Sequence, residues 1–392
     1  MIKVAILYTR VMPSVNDIMS VAEAFEKSPV VVVRDNCVAV RNRNATCRRC
    51  VNACVAEAID VYGNEIEFNA SLCNACGACT VVCPTEALVS VAPTSANLLN
   101  AAAASMGEKG TRAVIACARI AAKRLADPAS FAEVPCLSRV DEATALSLVA
   151  LGAKNILLVD GDCNSCKYRE CALQVDDTCS FTRTLLAAQG SEAAVERQTG
   201  FPEDMLVETV DGLFGTTRRG FFSEAVGAAK ETAMTAARAK VAQELGLDTS
   251  EASIGERLRV TETGTLPLIN VPRHDAAINA LDAIGHPQVE SIESRLFGSV
   301  AVDAQKCNSC NMCAMFCPTG ALKRGDSGEV GKPVRILEFT ACDCVNCGLC
   351  VDVCWKGALT LSSQVSTAQL FDFEPVSFKL SATKSKKASY FG

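Results

Sequence analysis

The cysteines constrain this chain more than any other feature. There are 23 of them, against two histidines, His274 and His286, and one tryptophan, Trp355. They fall into three groups, Cys37 to Cys83, Cys117 to Cys179 and Cys307 to Cys354, and within a group many stand only three or four positions apart. A chain keeps so many thiols either as disulfides in an oxidising compartment or as metal ligands in a reducing one. The odd total, the close bunching and the lack of a secretory signal over Met1 to Arg10 point to ligands and to the cytoplasm.

The strongest pattern is Cys307-x2-Cys310-x2-Cys313-x3-Cys317-Pro318, repeated in spacing by Cys344-x2-Cys347-x2-Cys350-x3-Cys354. A loop with thiols at this spacing wraps three corners of an iron–sulfur cubane, and the fourth thiolate must come from the other motif. The spacing therefore assigns Cys307, Cys310, Cys313 and Cys354 to one [4Fe-4S] cluster, and Cys344, Cys347, Cys350 and Cys317 to its twin. Zinc is the competing reading, but structural zinc favours two C-x2-C knuckles a dozen or more residues apart. No zinc site is expected.

The first group holds one complete motif, Cys73-x2-Cys76-x2-Cys79-x3-Cys83-Pro84, and one incomplete, Cys47-x2-Cys50-x3-Cys54, whose first thiol is replaced by Asn44. Cys37 is the available substitute, through a loop over Arg41 to Asn44. On that reading Cys37, Cys47, Cys50 and Cys83 form one set, and Cys73, Cys76, Cys79 and Cys54 the other, for up to four [4Fe-4S] clusters in the chain. If Cys37 is only a small core residue, the first site holds a [3Fe-4S] cluster or takes a non-thiolate ligand. Residues 37–90 and 297–362 resemble dicluster bacterial ferredoxin domains, which implies low-potential one-electron transfer.

The middle group is Cys117, Cys136, Cys163, Cys166, Cys171 and Cys179, and its spacing matches no ferredoxin. Short apolar segments at Ala113–Cys117, Ala132–Cys136 and Asn155–Asp160 alternate with helical patterns at Ala118–Leu125 and Asp141–Leu151, the signature of a small α/β domain with a parallel sheet. Cys117 and Cys136 end predicted strands and Cys163 follows one, so these thiols gather at the carboxyl edge of the sheet. Cys117, Cys136, Cys163 and Cys166 are the candidate ligand set. The alternatives are free buried thiols, or a redox dithiol at Cys163 and Cys166. The run Asn155–Arg169, with Pro135–Arg139 upstream, resembles the delta subunit family of methyl-viologen-reducing hydrogenase over about residues 110–175. That resemblance implies a [2Fe-2S] cluster and a link from a hydrogenase or formate dehydrogenase to a heterodisulfide-reductase-like complex. Here Cys163 and Cys166 lie closer together than in the family, and Cys171 and Cys179 are additional.

The expected architecture is multidomain, α+β and α/β: two ferredoxin-like dicluster domains, a central small parallel-sheet domain and a helical connecting segment. The boundaries read as a β-α-β lead-in at 1–36, the first dicluster domain at 37–92, the central domain at 109–180, helical connection at 181–295, the second dicluster domain at 296–362 and a tail at 363–392. Within the connection, Phe222–Leu245 has helical spacing, and Gly264, Pro267, Pro272 and Pro287 suggest a loop. Trp355 reads as core packing and Cys342 as a mere neighbour of the motif.

A net charge of −6 gives no nucleic-acid footprint, and Lys384, Lys386 and Lys387 read as a solvated tail. Arg218-Arg219-Gly220 reads as a surface turn. No uncharged apolar run reaches the roughly 18 residues of a membrane span. No catalytic constellation, phosphate-cradling loop or dinucleotide fingerprint is present, so no catalytic residue is expected. These features describe an electron-transfer subunit that is not catalytic alone and relays single electrons between redox partner proteins. A cluster-fed thiol–disulfide reductase acting through the central cysteines is the alternative, and a redox sensor is disfavoured by the absent DNA-binding motif.

Overall fold

The computed structural model describes residues 29–107, 110–207, 257–325 and 335–380. In the N-terminal module, β1 (Val30–Val32) pairs antiparallel with β4 (Leu88–Ser90). Between them lie α1 (Val38–Arg41), α2 (Arg49–Ala53), the hairpin β2 (Ile59–Tyr62) and β3 (Glu65–Phe68), and α3 (Ala78–Val82). Gly63 and Asn64 turn the hairpin, both at positive φ, as a two-residue turn matched to strand twist requires. Both α2 and α3 stop after little more than one turn, at Cys54 and Cys83. Pro84 follows Cys83, and the residue before a proline is driven out of helical geometry.

The central domain is a four-stranded parallel sheet in the order β6-β5-β7-β8: β5 (Arg112–Cys117), β6 (Ala132–Val134), β7 (Asn155–Asp160) and β8 (Ala194–Thr199). Val114, Ile115, Ile156, Leu158 and Val159 are all buried, as expected for central strands covered on both faces. The helices are α4 (Ser95–Ala104), α5 (Ala118–Ala121), α6 (Glu142–Ala150) and α7 (Cys171–Ala188). Asp141 caps α6, its carboxylate accepting the Thr144 amide at 2.7 Å.

Next come α8 (Pro272–Ile284), packed along α6, and β9 (Ser291–Glu293). The C-terminal module contains β10 (Ser299–Val302), α9 (Met312–Phe316), β11 (Leu322–Gly325), β12 (Arg335–Phe339), α10 (Leu349–Asp352) and β13 (Leu359–Ser362). It is completed by β14 (Gln364–Ser366), α11 (Thr367–Phe371) and β15 (Val376–Leu380). β10 pairs with β13, β14 with β9, and β12 lies between β11 and β15.

Several sequence boundaries move. The run at Val30 is not a lead-in but the first module's own strand. The central sheet does not end at 180: α7 runs on to Ala188 and β8 joins β7. β8 was missed because Ala-Val-Glu-Arg-Gln-Thr is an edge strand without a continuous apolar run. Pro272 opens a helix where a loop was expected, its fixed φ being tolerated in the first turn. The segment 363–380, read as tail, supplies β14, α11 and β15. The helical reading of Phe222–Leu245, Arg218–Gly220, the lysines near 384 and most of the lead-in lie outside the described residues.

The two outer modules dock on one another. Val38 of α1 packs with Leu349 and Val353, all buried, with Cys47, Met312, Phe316 and Cys347 around them. The contact is flanked by the Thr46 amide donating to Asp352 at 2.7 Å and by Arg49 donating to the Asn346 carbonyl at 2.8 Å.

Candidate functional site

Sixteen of the thiols fall into four groups, two of which line small cavities. In the C-terminal module Cys307, Cys310, Cys313 and Cys354 line one cavity with Val302, Leu337, Leu359 and Leu380. Cys317, Cys344, Cys347 and Cys350 line a second with Val300, Phe339 and Leu361. In the N-terminal module, Cys50 lies close to Cys83, Cys37 and Cys47, and Cys79 lies close to Cys76, Cys54 and Cys73. Cys37, which stands outside the spacing motif, lies with Cys47, Cys50 and Cys83. Among the described residues no three His, Cys, Asp or Glu side chains converge on a single-ion position. The thiols of the C-terminal module surround two cavities, as cubanes require.

Backbone geometry explains how short loops achieve this. Ala75, Ser309 and Asn346, each two residues after the first cysteine of its motif, have positive φ, as do Gly77, Asn311 and Gly348 two residues further on. These left-handed residues curl the loop so that successive amides face inward. The Ala75 amide lies 3.4 Å from the Cys73 sulfur and the Ser309 amide 3.5 Å from that of Cys307. After each fourth cysteine the chain turns again. The amides of Ala58, Ala87 and Ala358 donate to the sulfurs of Cys54, Cys83 and Cys354 at 3.2, 3.2 and 3.3 Å, and Leu322 donates to Cys317 at 3.5 Å. The sequence signal for this, an alanine four residues after each of Cys54, Cys83, Cys317 and Cys354, had been overlooked.

Burial pushes the Cys37 thiol up to about 11, and those of Cys50, Cys313 and Cys344 up to about 12. The protein by itself thus disfavours thiolates in these spaces. Iron supplies the missing positive charge, and the donor set fits it: four sulfurs, apolar walls and inward amides.

Comparison with known families agrees with this geometry. The model of the 4Fe-4S dicluster domain matches residues 306–358, and that of the 4Fe-4S binding domain matches residues 66–89. The chain carries two ferredoxin-type 4Fe-4S domains. Their cofactors are [4Fe-4S] clusters and their function is iron–sulfur electron transfer. The matched part of the N-terminal ferredoxin module includes Cys73 to Cys83, whereas Cys37 to Cys54 lie upstream of it. The chain is also 37% identical over 67 residues to the ferredoxin-type protein NapH of Escherichia coli K12, a match covering 17% of this chain and 22% of that protein. Among the described residues no helix is long and apolar enough to cross a membrane.

The ferredoxin modules set the thiol groups in a row. Cys79 lies close to Cys50, joining the two N-terminal groups, and Cys350 lies close to Cys313, joining the two C-terminal ones. Between modules, Cys47 and Cys347 flank the Val38 contact. Arg41, 5% exposed, lies near both Cys317 and Cys347, and its guanidinium, pushed down by burial, donates to the Pro267 carbonyl at 2.8 Å. At one end of the row Cys310 is exposed. Trp355 beside it is 66% exposed under the Lys356 ammonium, which corrects its reading as core packing. Its indole lines the edge of the cavity that holds Cys307, Cys310, Cys313 and Cys354.

At the other end the row meets the central domain. The turn Leu137–Arg139 after β6 packs on α3 and on α7. Ser138 Oγ donates to the Cys76 carbonyl at 3.0 Å, and Gln174 of α7 donates to the Ala78 carbonyl at 3.0 Å. Cys171, at the first position of α7, is 3% exposed and lies near Cys136 and Cys76. The neighbouring Cys171 thiol, with help from Ser138, draws Cys136 down to about 6 and Cys76 down to about 7, and Cys171 itself is pushed up.

Of the four central thiols singled out in the sequence, Cys163 lies near Cys136 and is pushed up to about 11 by burial and the Asp160 carboxylate. Cys117 is buried at the end of β5, and the Cys166 sulfur meets the Tyr168 amide at 3.5 Å. The residue that joins Cys136 most closely is Cys171, which spacing had left as additional.

Proposed function

We propose that the four thiol groups hold four [4Fe-4S] clusters in a line and that the chain passes single electrons along it between redox partner proteins. The observation that carries this reading is the direct docking of the two ferredoxin modules, Val38 onto Leu349 and Val353, with Cys47 and Cys347 on either side. Two independent ferredoxin domains on a tether would have no reason to bury an apolar contact between cluster loops.

Bound clusters supply one-electron chemistry over a wide span of potentials, set by hydrogen bonds to sulfur, charge and exposure. This chain's residues provide each lever. The amides of Ala58, Ala87, Ala358 and Leu322 place positive dipole on ligand sulfurs. Arg41 and Arg49 set positive charge at the junction of the modules, which favours an electron there. Apolar side chains wall the C-terminal sites, and Cys310 leaves one of them open at its edge.

The exposed end at Cys310 and Trp355 and the opposite end at the central domain are the entry and exit. The central sheet, with Cys136 and Cys163 at its carboxyl edge, supports partners of the class suggested by its resemblance: a hydrogenase, a formate dehydrogenase or a heterodisulfide-reductase-like complex.

Iron and acid-labile sulfide on anaerobically purified protein, with low-temperature EPR after reduction, test the reading. About sixteen irons per chain are expected from four cubanes. Stoichiometric zinc with almost no iron overturns it.

A further inference from the structure

The two ferredoxin modules leave a cleft of about 380 Å³ between them that the electron row does not use. Much of its wall is apolar: Val82 and Pro84 come from the first module, Val345 from the second, and Leu296 from the chain that leads into it. Three arginines line it as well, Arg49, Arg273 and Arg295, and among the described residues no carboxylate does. Two of the three are already matched. Glu142 pairs with Arg295, and the Glu86 carboxylate accepts the Arg273 amide at 2.9 Å while the Arg273 guanidinium donates to the Thr80 and Cys83 carbonyls. Arg49 is half-buried, donates to the Asn346 carbonyl at 2.8 Å and makes no ion pair among the described residues. A carbonyl takes a hydrogen bond but does not neutralise a guanidinium, so the charge of Arg49 stands unmatched beside apolar surface. The planar fork of an arginine fits an oxyanion, and apolar walls with a few placed polar groups are what small-molecule sites are made of.

We propose that this cleft binds a small organic anion, an apolar body carrying one carboxylate or phosphate group that Arg49 receives, and that the bound anion opposes reduction of the clusters beside it. The second half of the proposal rests on the four-cluster reading above. Val82 and Pro84 flank Cys83, and Val345 follows Cys344, so the cleft adjoins one cluster site of each module. A negative charge held there makes an added electron more costly at either site. Linkage requires the reverse as well: reduction weakens binding of the anion by the factor by which the anion weakens binding of the electron. The anion thereby acts as a brake where the row crosses from one module to the other.

The probes are benzoate, phenyl phosphate and the uncharged benzamide, titrated by calorimetry into the full cluster-loaded chain under anaerobic conditions. Benzoate or phenyl phosphate is expected to saturate at one per chain and to bind about tenfold or more tightly than benzamide, the margin of a charge-assisted contact. The tighter of the two identifies the oxyanion that the site takes. Arg49→Gln should remove the preference for the anion. Ala53→Phe, which fills the cleft without altering a charge, should weaken all three probes. Equal binding of benzamide and the anions in the unsubstituted chain overturns the proposal, and so does the absence of saturable binding by either anion.

Redox titrations followed by EPR, with and without the tighter probe, read the coupling. The midpoint potentials of one N-terminal and one C-terminal cubane are expected to fall by about 59 mV for each tenfold by which reduction weakens binding. Unchanged potentials at saturating probe overturn the brake. Failure of the four-cluster reading shows separately, as missing iron and missing cubane signals in the chain before any probe is added.

Discussion

Gly77 and Gly348 hold corresponding positions in the two ferredoxin modules and share a left-handed backbone, φ +82 and +83. Their surroundings differ. An added Cβ at Gly348 meets nothing within 4 Å, whereas at Gly77 it would meet Arg139 side-chain atoms at 2.6 and 2.8 Å and Arg139 Cα at 3.0 Å. Arg139 cannot easily yield, because it is 3% exposed, donates to Ser95 Oγ at 2.9 Å and faces Asp141 at 3.6 Å. Gly348→Ala should therefore cost only the backbone penalty, about 1 kcal/mol. Gly77→Ala adds overpacking and should cost about 2–4 kcal/mol. Anaerobic denaturant melts of the two variants measure the difference, and equal losses would contradict the packing of the central domain on the Cys76 loop.

Among the elements, the one-turn helices carry unusual weight. α1 exists to present Val38 to α10 and to start from Cys37, and the docked contact is small enough for one side chain to decide it. Val38→Asp places a carboxylate against the apolar side chains of Leu349 and Val353, near Asp352, at a buried position. A buried unpaired charge is among the most destabilising single changes, and about 3 kcal/mol or more should be lost from the interface. The expected readout is iron content equal to that of the unsubstituted chain, with magnetic coupling between the two modules' EPR signals lost. Retained coupling would show that the junction does not depend on α1.

At the scale of the whole molecule, the three domains draw on different sources of stability. The central domain buries two-sided strands and long helices in an apolar core that runs on into the C-terminal module. The N-terminal module has strands of three or four residues, and Cys37, Cys50, Cys79 and Cys83 themselves make up much of its core. Where ligands are core residues, binding free energy is folding free energy. Removing iron with a chelator should melt the ferredoxin modules and leave the central sheet folded. Limited proteolysis is then expected to cut within residues 37–90 and 297–362 and to spare 112–199. Cleavage of the central sheet at the same rate would show that all three fold as one unit.

Cysteine spacing set the expected grouping of the motif thiols, because a ligand loop is local, and it left Cys37 outside the pattern as a substitute for Asn44. Strand-end logic likewise located β5, β6 and β7, whose apolar runs are continuous. The sequence was less informative where the decisive neighbour is remote. It read the segment of β8 as helical connection, Trp355 as core packing and Cys171 as a surplus thiol. Only the tertiary structure decided that β8 closes the sheet edge, that Trp355 lies on the surface, and that the turn after β6 and the start of α7 pack on the Cys76 loop. It also decided the order of the row. Docking of Val38 on Leu349, and of Arg139 on Gly77, depends on shape complementarity between surfaces hundreds or dozens of residues apart, and no local pattern encodes that.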